Sequence, residues 1–315
     1  MIGYILRRLF QLIPVLFLAS IAIWGMIYAV PGGPVGMMVG ENATPEQVAA
    51  VRAQMGLDRP ITLQYVDWLW RALQGDFGES LHSRRPVMEL IAQRLPASLQ
   101  LAAAATVVSL AVGIPVAILS AMHPGSWIDR SLSAWNALAL GVPTFWLGIL
   151  LILLFAVQLR WLPAASAHVP FHEDPLGALR NLALPAITLG LYVSGIFARF
   201  LRASLVSELR SDYVRTARAK GLPERQILNV HVLRNALLPF ITVVGLSLTN
   251  FIGGAVVTEA VFTYPGIARL LINAISQRDY PLIQGVIVVI LVLYVLVNLV
   301  VDILYAYADP RIEYH

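Results

Sequence analysis

Six stretches of the chain are apolar and carry no charge: Leu9–Val30, Ala97–Met122, Leu132–Leu159, Asn181–Ala198, Asn235–Thr258 and Tyr280–Val301. A helix needs about 20 such residues to cross about 30 Å of hydrocarbon, and only the fourth run falls slightly short. Transmembrane β-strands are excluded, because they read as alternating segments of about ten residues. The first run follows Arg7 and Arg8, as a secretory signal would, but it is too long and no Ala-x-Ala site follows it. The pattern predicts an all-α polytopic membrane protein with six transmembrane helices.

The polar segments between the runs set the orientation. With the N-terminus inside, inside segments hold twelve Lys and Arg and outside segments ten, six of these in the long first loop. Long loops translocate largely regardless of charge, so the informative comparison is twelve against four. Both termini are therefore expected in the cytoplasm. The chain divides into an N-terminus and first span (1–30), an external insertion (31–95) and a five-span core (96–315) holding a cytoplasmic segment, 199–235. The insertion opens with the turn Pro31-Gly-Gly-Pro34. A helix is expected from the Thr44 cap and Pro45, with Val48, Val51 and Met55 as its apolar stripe and Gly56 as its stop. A second runs from Thr62 to Leu73 with Tyr65, Trp68, Leu69 and Trp70, and ends at Gly75-Asp-Phe-Gly78. Its aromatics suit the insertion's own core, a membrane-interface belt, or a solute or partner surface. Asn42-Ala-Thr44 is formally a glycosylation sequon, and no internal repeat is evident.

Composition agrees with the bilayer. Of 315 residues 58% are hydrophobic and 13% charged, against about 25% charged in soluble domains. The mean hydropathy is +0.73. The net charge of +4 lies between apolar blocks and forms no basic face, so nucleic acid is not an expected partner. With no cysteine there is no thiol nucleophile and no Zn-thiolate site. Lys220 is the sole lysine, and no phosphate-binding Gly-x4-Gly-Lys loop, His-Glu-x-x-His or Gly-x-Ser-x-Gly occurs. Neither enzyme chemistry nor a cofactor is expected. His168 and His172, near Glu173 and Asp174, have a spacing that suits a metal, but an ordinary polar loop is the favoured reading and no metal is expected.

Ionisable groups fall at the edges of the spans. Glu259 is a candidate gate at the outer mouth, or an interfacial carboxylate facing water or pairing with Arg269. Arg278, Asp279 and Asp302 are candidates for a gate or for local ion pairs and caps. Prolines at 14, 115, 143, 185 and 239 suit either moving kinks or static bends.

The most informative segment runs from Tyr213 to Pro223. Ser211 or Asp212 caps a short helix, Gly221 ends it, and Pro223 with Glu224 opens a second helix bearing Ile227, His231 and Arg234 along one side. Ala217, Ala219 and Gly221 would allow close contact, while Arg215, Arg218 and Lys220 could pair with acids on another protein. A solvated basic loop is the alternative.

Tyr213-Val-Arg-Thr-Ala-Arg-Ala-Lys-Gly221, followed by His231-Val-Leu-Arg-Asn-Ala-Leu-Leu-Pro239, resembles the cytoplasmic "EAA" loop of binding-protein-dependent ABC importer permeases, in particular the dipeptide/oligopeptide/nickel branch. The general pattern is Glu-Ala-Ala-x3-Gly-x9-Ile-x-Leu-Pro. Arg215-Thr216-Ala217 stands for Glu-Ala-Ala and Gly221 matches. His231 replaces Ile, Leu233 matches, and Arg234 replaces Pro. Matches continue through Tyr4-Ile-Leu-Arg-Arg-Leu9, Gly75-Asp-Phe-Gly78, Pro143-Thr-Phe-Trp146, Trp161-Leu-Pro163, Phe262-Thr-Tyr-Pro-Gly266, Arg278-Asp-Tyr-Pro281 and Asp309-Pro-Arg311.

The resemblance implies a permease subunit in the bacterial inner membrane. Its expected partners are a second homologous permease, two ATP-binding subunits that hydrolyse ATP, an external solute-binding protein and membrane lipid. It further implies that Arg215, Thr216, Ala217, Arg218, Ala219, Lys220, Gly221, Leu222 and Pro223 meet an ATPase. Di- or oligopeptides are the expected solute, with nickel or glutathione as the alternative. A secondary carrier or channel is the alternative of a different class.

Overall fold

A computed structural model describes residues 2–29, 44, 46, 49, 53 and 58–308. The Pro31–Pro34 turn, the sequon and Asp309–Arg311 fall outside this set wholly or in large part, as does most of the helix expected from Thr44. The helices are α1 (Ile2–Gly25), α2 (Ile61–Leu73), α3 (Val87–Met122), α4 (Trp127–Gly141), α5 (Thr144–Leu151) and α6 (Pro175–Leu209). They continue with α7 (Asp212–Ala219), α8 (Leu233–Val261), α9 (Ile267–Ser276) and α10 (Tyr280–Ala308). π-helical segments extend α5 over Ile152–Gln158 and precede α8 over Ile227–Val232. Among the described residues there is no strand, only an isolated bridge between Glu79 and Pro86.

Among the described residues, five helices are long and apolar enough to cross a membrane. The third expected span, Leu132–Leu159, is instead two arms, α4 and α5, bent by 101°. The break follows from Pro143, which offers no N–H and pushes Val142 to an extended ψ of 125°.

The bent pair still crosses. At its start, Asp129 bonds Ser120 near the end of α3. Past its end, the Val169 carbonyl accepts from Gln100 near the start of the apolar run of α3, at 2.9 Å. Those two α3 positions are separated by roughly 30 Å of helix rise. The six-span reading therefore holds, with one span broken.

The residues group into two compact units, 97–269 with 296–315, and 2–96 with 270–295. In the first unit, α6 is the pillar. Of its apolar window 67% is buried, against 6% for the first span, α1. Glycines let it approach α3. A Cβ on Gly190 would lie 2.7 Å from Val108, and one on Gly113 would lie 2.8 Å from Phe197. Small residues at helix crossings are what van der Waals packing within lipid requires.

In the second unit, α2 lies on α1. Ser20 Oγ and Tyr65 OH are 2.7 Å apart, Tyr28 OH donates to Gln64 at 2.5 Å, and the Trp24 and Tyr65 rings pack edge-on at 5.6 Å. Tyr65 is thus turned to the first span, α1, rather than to a core of the insertion's own. Positive φ angles of 78° at Gly75 and Gly78 shape the Gly75-Asp-Phe-Gly78 turn.

Candidate functional site

Beyond Ala198, α6 leaves the apolar run and continues to Leu209, carrying the segment of interest away from the span. Ser211 Oγ donates to the Glu208 carbonyl at 2.6 Å, and Tyr213 OH donates to Glu208 Oε2 at 2.6 Å. These bonds turn the chain into α7. Ser211 occupies the cap position, though its side chain makes no cap bond.

The end of α7 is a complete Schellman stop. The Gly221 N–H donates to the Arg218 carbonyl at 2.9 Å, and the Leu222 N–H donates to the Ala217 carbonyl at 3.3 Å. Gly221 has a φ of 79°, as the sequence led one to expect of a helix-ending glycine. Leu222 tucks against the core that holds Ala217, which is the apolar contact this motif brings. Arg218 then reaches across the turn to Glu224, with bonds of 2.5 and 3.1 Å.

Two expectations need correcting. Ala217 offers no outward contact surface, because with Val214 it is buried in the core cluster that also holds Leu201, Leu205 and Ile227. Nor does Ile227 share a side with His231 and Arg234. The π turn shifts the period, so Val232 follows Ile227 inward, His231 is half-buried and Arg234 is exposed. The outward strip is therefore Arg215, Thr216, Ala219, Lys220, Gly221 and Pro223. Arg218 is exposed but already holds Glu224. Arg215 lies 3.2 Å from Asp212, yet those side chains are 78% and 93% exposed, so water screens the pair.

A second constellation at this end went unread in the sequence. Arg202, one turn past Arg199 on α6, donates through Nε to Ser120 Oγ at 2.7 Å and Asp129 Oδ1 at 3.0 Å. Its Nη2 donates to Asp129 Oδ2 at 2.8 Å. Ser126 Oγ accepts from the Asp129 N–H at 3.2 Å, and Asp129 accepts from the Gly125 N–H at 3.0 Å. The available signal was Ser126-x-x-Asp129, a capping-box spacing. The cluster clips α3, α4 and the α6 extension together.

Of the other candidate residues, Glu259 and Asp279 serve as structural anchors. Glu259 is fully buried and does not face water. It accepts from Ser98 Oγ at 2.6 Å and from the backbone N–H of Arg269 at 2.9 Å. The Arg269 guanidinium goes instead to the Thr263 carbonyl. Ser98 Oγ accepts from the Ile267 N–H at 2.8 Å, so the pair satisfies the first donors of α9. Asp279 is buried, accepts from Ser80 Oγ at 2.5 Å and the Leu81 N–H at 3.2 Å, and caps α10. Arg278 is exposed with a φ of 56°, and Asp302 is half-buried. His172 lies 3.6 Å from Glu173. Burial lowers His168 below the usual imidazole range. Among the described residues no three metal-capable side chains converge.

The family "Binding-protein-dependent transport system inner membrane component" matches residues 113–314, and its N-terminal companion matches residues 1–102. The chain belongs to this family. It is 41% identical to a peptide transport system permease protein of Brucella abortus (strain 2308), over 100% of both chains. It is 40% identical to the glutathione transport system permease protein of Escherichia coli (strain K12), again over 100% of both. The fold is that of the inward-facing MetNI methionine ABC transporter, with a TM-score of 0.59 and 17% identity over 70% of this chain and 97% of that one. An amino acid ABC transporter shares it at a TM-score of 0.55 and 14% identity, over 70% and 94%. The chain is thus a multi-pass membrane permease of the ABC transporter class.

Proposed function

We propose that the chain is one of two permease subunits of an ATP-driven importer of di- or oligopeptides in the bacterial inner membrane. In this reading both termini and the 199–235 segment face the cytoplasm. A soluble binding protein delivers the solute outside, and ATP is hydrolysed on two separate subunits below. The observation that carries it is α7: a short helix stopped at Gly221, its inner face fixed to the core and its outer strip of Ala219, Lys220, Gly221 and Pro223 left open.

Such an element can receive a push without deforming. Val214, Ala217 and Leu222 set it into the core cluster shared by α6 and the π-helical segment before α8, and Arg202 ties the α6 extension to α4. Movement of the ATPases then reaches the spans as a shift of packed helices, which requires contacts that differ between two states. The peptide assignment rests on the full-length likeness to the Brucella protein. Glutathione, itself a small peptide, is the second reading because of the equally full-length Escherichia coli relative.

Reconstitution in proteoliposomes tests the proposal. The chain with its second permease, two ATP-binding subunits and binding protein is expected to take up labelled peptide only with ATP. Uptake by the chain alone would replace the importer with a carrier or channel.

A further inference from the structure

We propose that α2 is an interfacial helix whose outer stripe dissolves in the acyl chains of the lipid leaflet at the C-terminal end of α1. Helix α2 has three faces. Tyr65, Trp68, Leu69 and Ala72 are half-buried on the inner one. Asp67 and Arg71 lie on a polar face and pair with Arg59 at 3.0 Å and Asp76 at 2.8 Å. The third face is apolar and uncovered: Leu63, Val66, Trp70 and Leu73 are 52%, 55%, 64% and 73% exposed. Their spacing of three, four and three keeps them on one helical stripe.

The contacts with α1 give the depth of this helix. The span in α1 covers Phe10–Tyr28, so Tyr28 marks its boundary and Ser20 lies about 12 Å deeper. Gln64 bonds Tyr28 at the boundary, while Tyr65 reaches inward to Ser20 and packs edge-on against Phe17. A tyrosine side chain covers much of that interval. The α2 backbone therefore sits a few ångströms below the boundary, within the roughly 5–10 Å at which amphipathic helices lie.

Lipid is the occupant because α2 continues a surface that already faces it. Phe17, Leu18 and Ile21 of α1 are exposed along an apolar span with only 6% of its window buried. An aqueous protein partner would have to fit a stripe that begins at hydrocarbon depth. The ion pairs of α2 occupy a separate face, roughly 100° around the helix from the centre of the stripe, so the polar groups need not enter hydrocarbon with it.

The chain has no cysteine, so single cysteines can be labelled cleanly. Nitroxides at 63, 66, 70 and 73, and at 67 and 71, are read in the intact complex in phosphatidylethanolamine–phosphatidylglycerol vesicles. Accessibility to oxygen is compared with accessibility to a water-soluble nickel chelate. All six positions are exposed, so uptake is retained. The expected result is oxygen above nickel at the first four sites and the reverse at 67 and 71. Nickel dominance at all six would place the stripe in water. Low access to both reagents at 63, 66, 70 and 73 would mean that protein covers it. Either outcome overturns the proposal.

Discussion

Replacing Gly221 with residues of graded size separates what the turn needs from what another chain needs. Its φ of 79° lies where an L side chain costs about 1–2 kcal/mol. An ideal Cβ built there meets nothing within 4 Å, so the first side-chain carbon meets no clash within the chain. Gly221→Ala and Gly221→Arg should therefore lose the same ~1–2 kcal/mol of local stability, while Gly221→Asn, which tolerates this region, loses less. If an ATPase groove receives this turn, transport must follow side-chain bulk instead. ATP-dependent uptake at matched membrane levels should then fall modestly for Ala and be abolished for Arg, with thermal unfolding alike for the two. Equal uptake by Ala and Arg would refute the reasoning, because only the backbone would matter.

Arg202→Met should destabilise by roughly 2–3 kcal/mol by stranding buried Asp129; the value is below the fully buried range because Arg202 is 36% exposed. Adding Asp129→Asn should recover part of it, and thermal melts of the two variants check this. Gly266→Ala drives a Cβ to 2.0 Å from Glu259 Oε1, so a loss of about 1–3 kcal/mol is expected, with partial rescue by Glu259→Ala. Asp279→Ala strands the Ser80 hydroxyl and the Leu81 N–H, which should cost about 1–3 kcal/mol and speed proteolysis of the loop around residue 80. Reversing both charges of the Arg218–Glu224 pair should restore most of what either single reversal loses. The single loss should stay below about 1 kcal/mol and shrink in salt, because the pair is exposed.

The spans were legible because hydrocarbon demands long apolar runs, and the Gly221 stop because a glycine followed by Leu-Pro leaves α7 no way to continue. The 101° break was less so: Pro143 was visible, but a proline inside a span bends it by an amount its neighbours decide. The inward turn of Ala217 was misread because alanine suits a core and a contact surface equally, and only the packing of α7 into the core settles which face is free; the π turn at Ile227–Val232 likewise parts Ile227 from His231 and Arg234. Glu259 was misplaced since its partners, Ser98 and the first N–H groups of α9, are far away in sequence or belong to the backbone. Neither kind of partner leaves a local pattern. Arg202 and Asp129 share that problem, with one half of the cluster marked by a cap spacing and the other half by nothing.

In the proposed importer an ATP-binding subunit docks on the strip around Gly221. A photoreactive maleimide on a single cysteine at Ala219, in the intact complex, tests it directly. The expected result is an adduct with the ATP-binding subunit whose yield changes between nucleotide-free and ATP-bound states, and no such adduct from a cysteine at Trp161, past the far end of α5. Absence of the Ala219 adduct, or equal adducts from both positions, would contradict it.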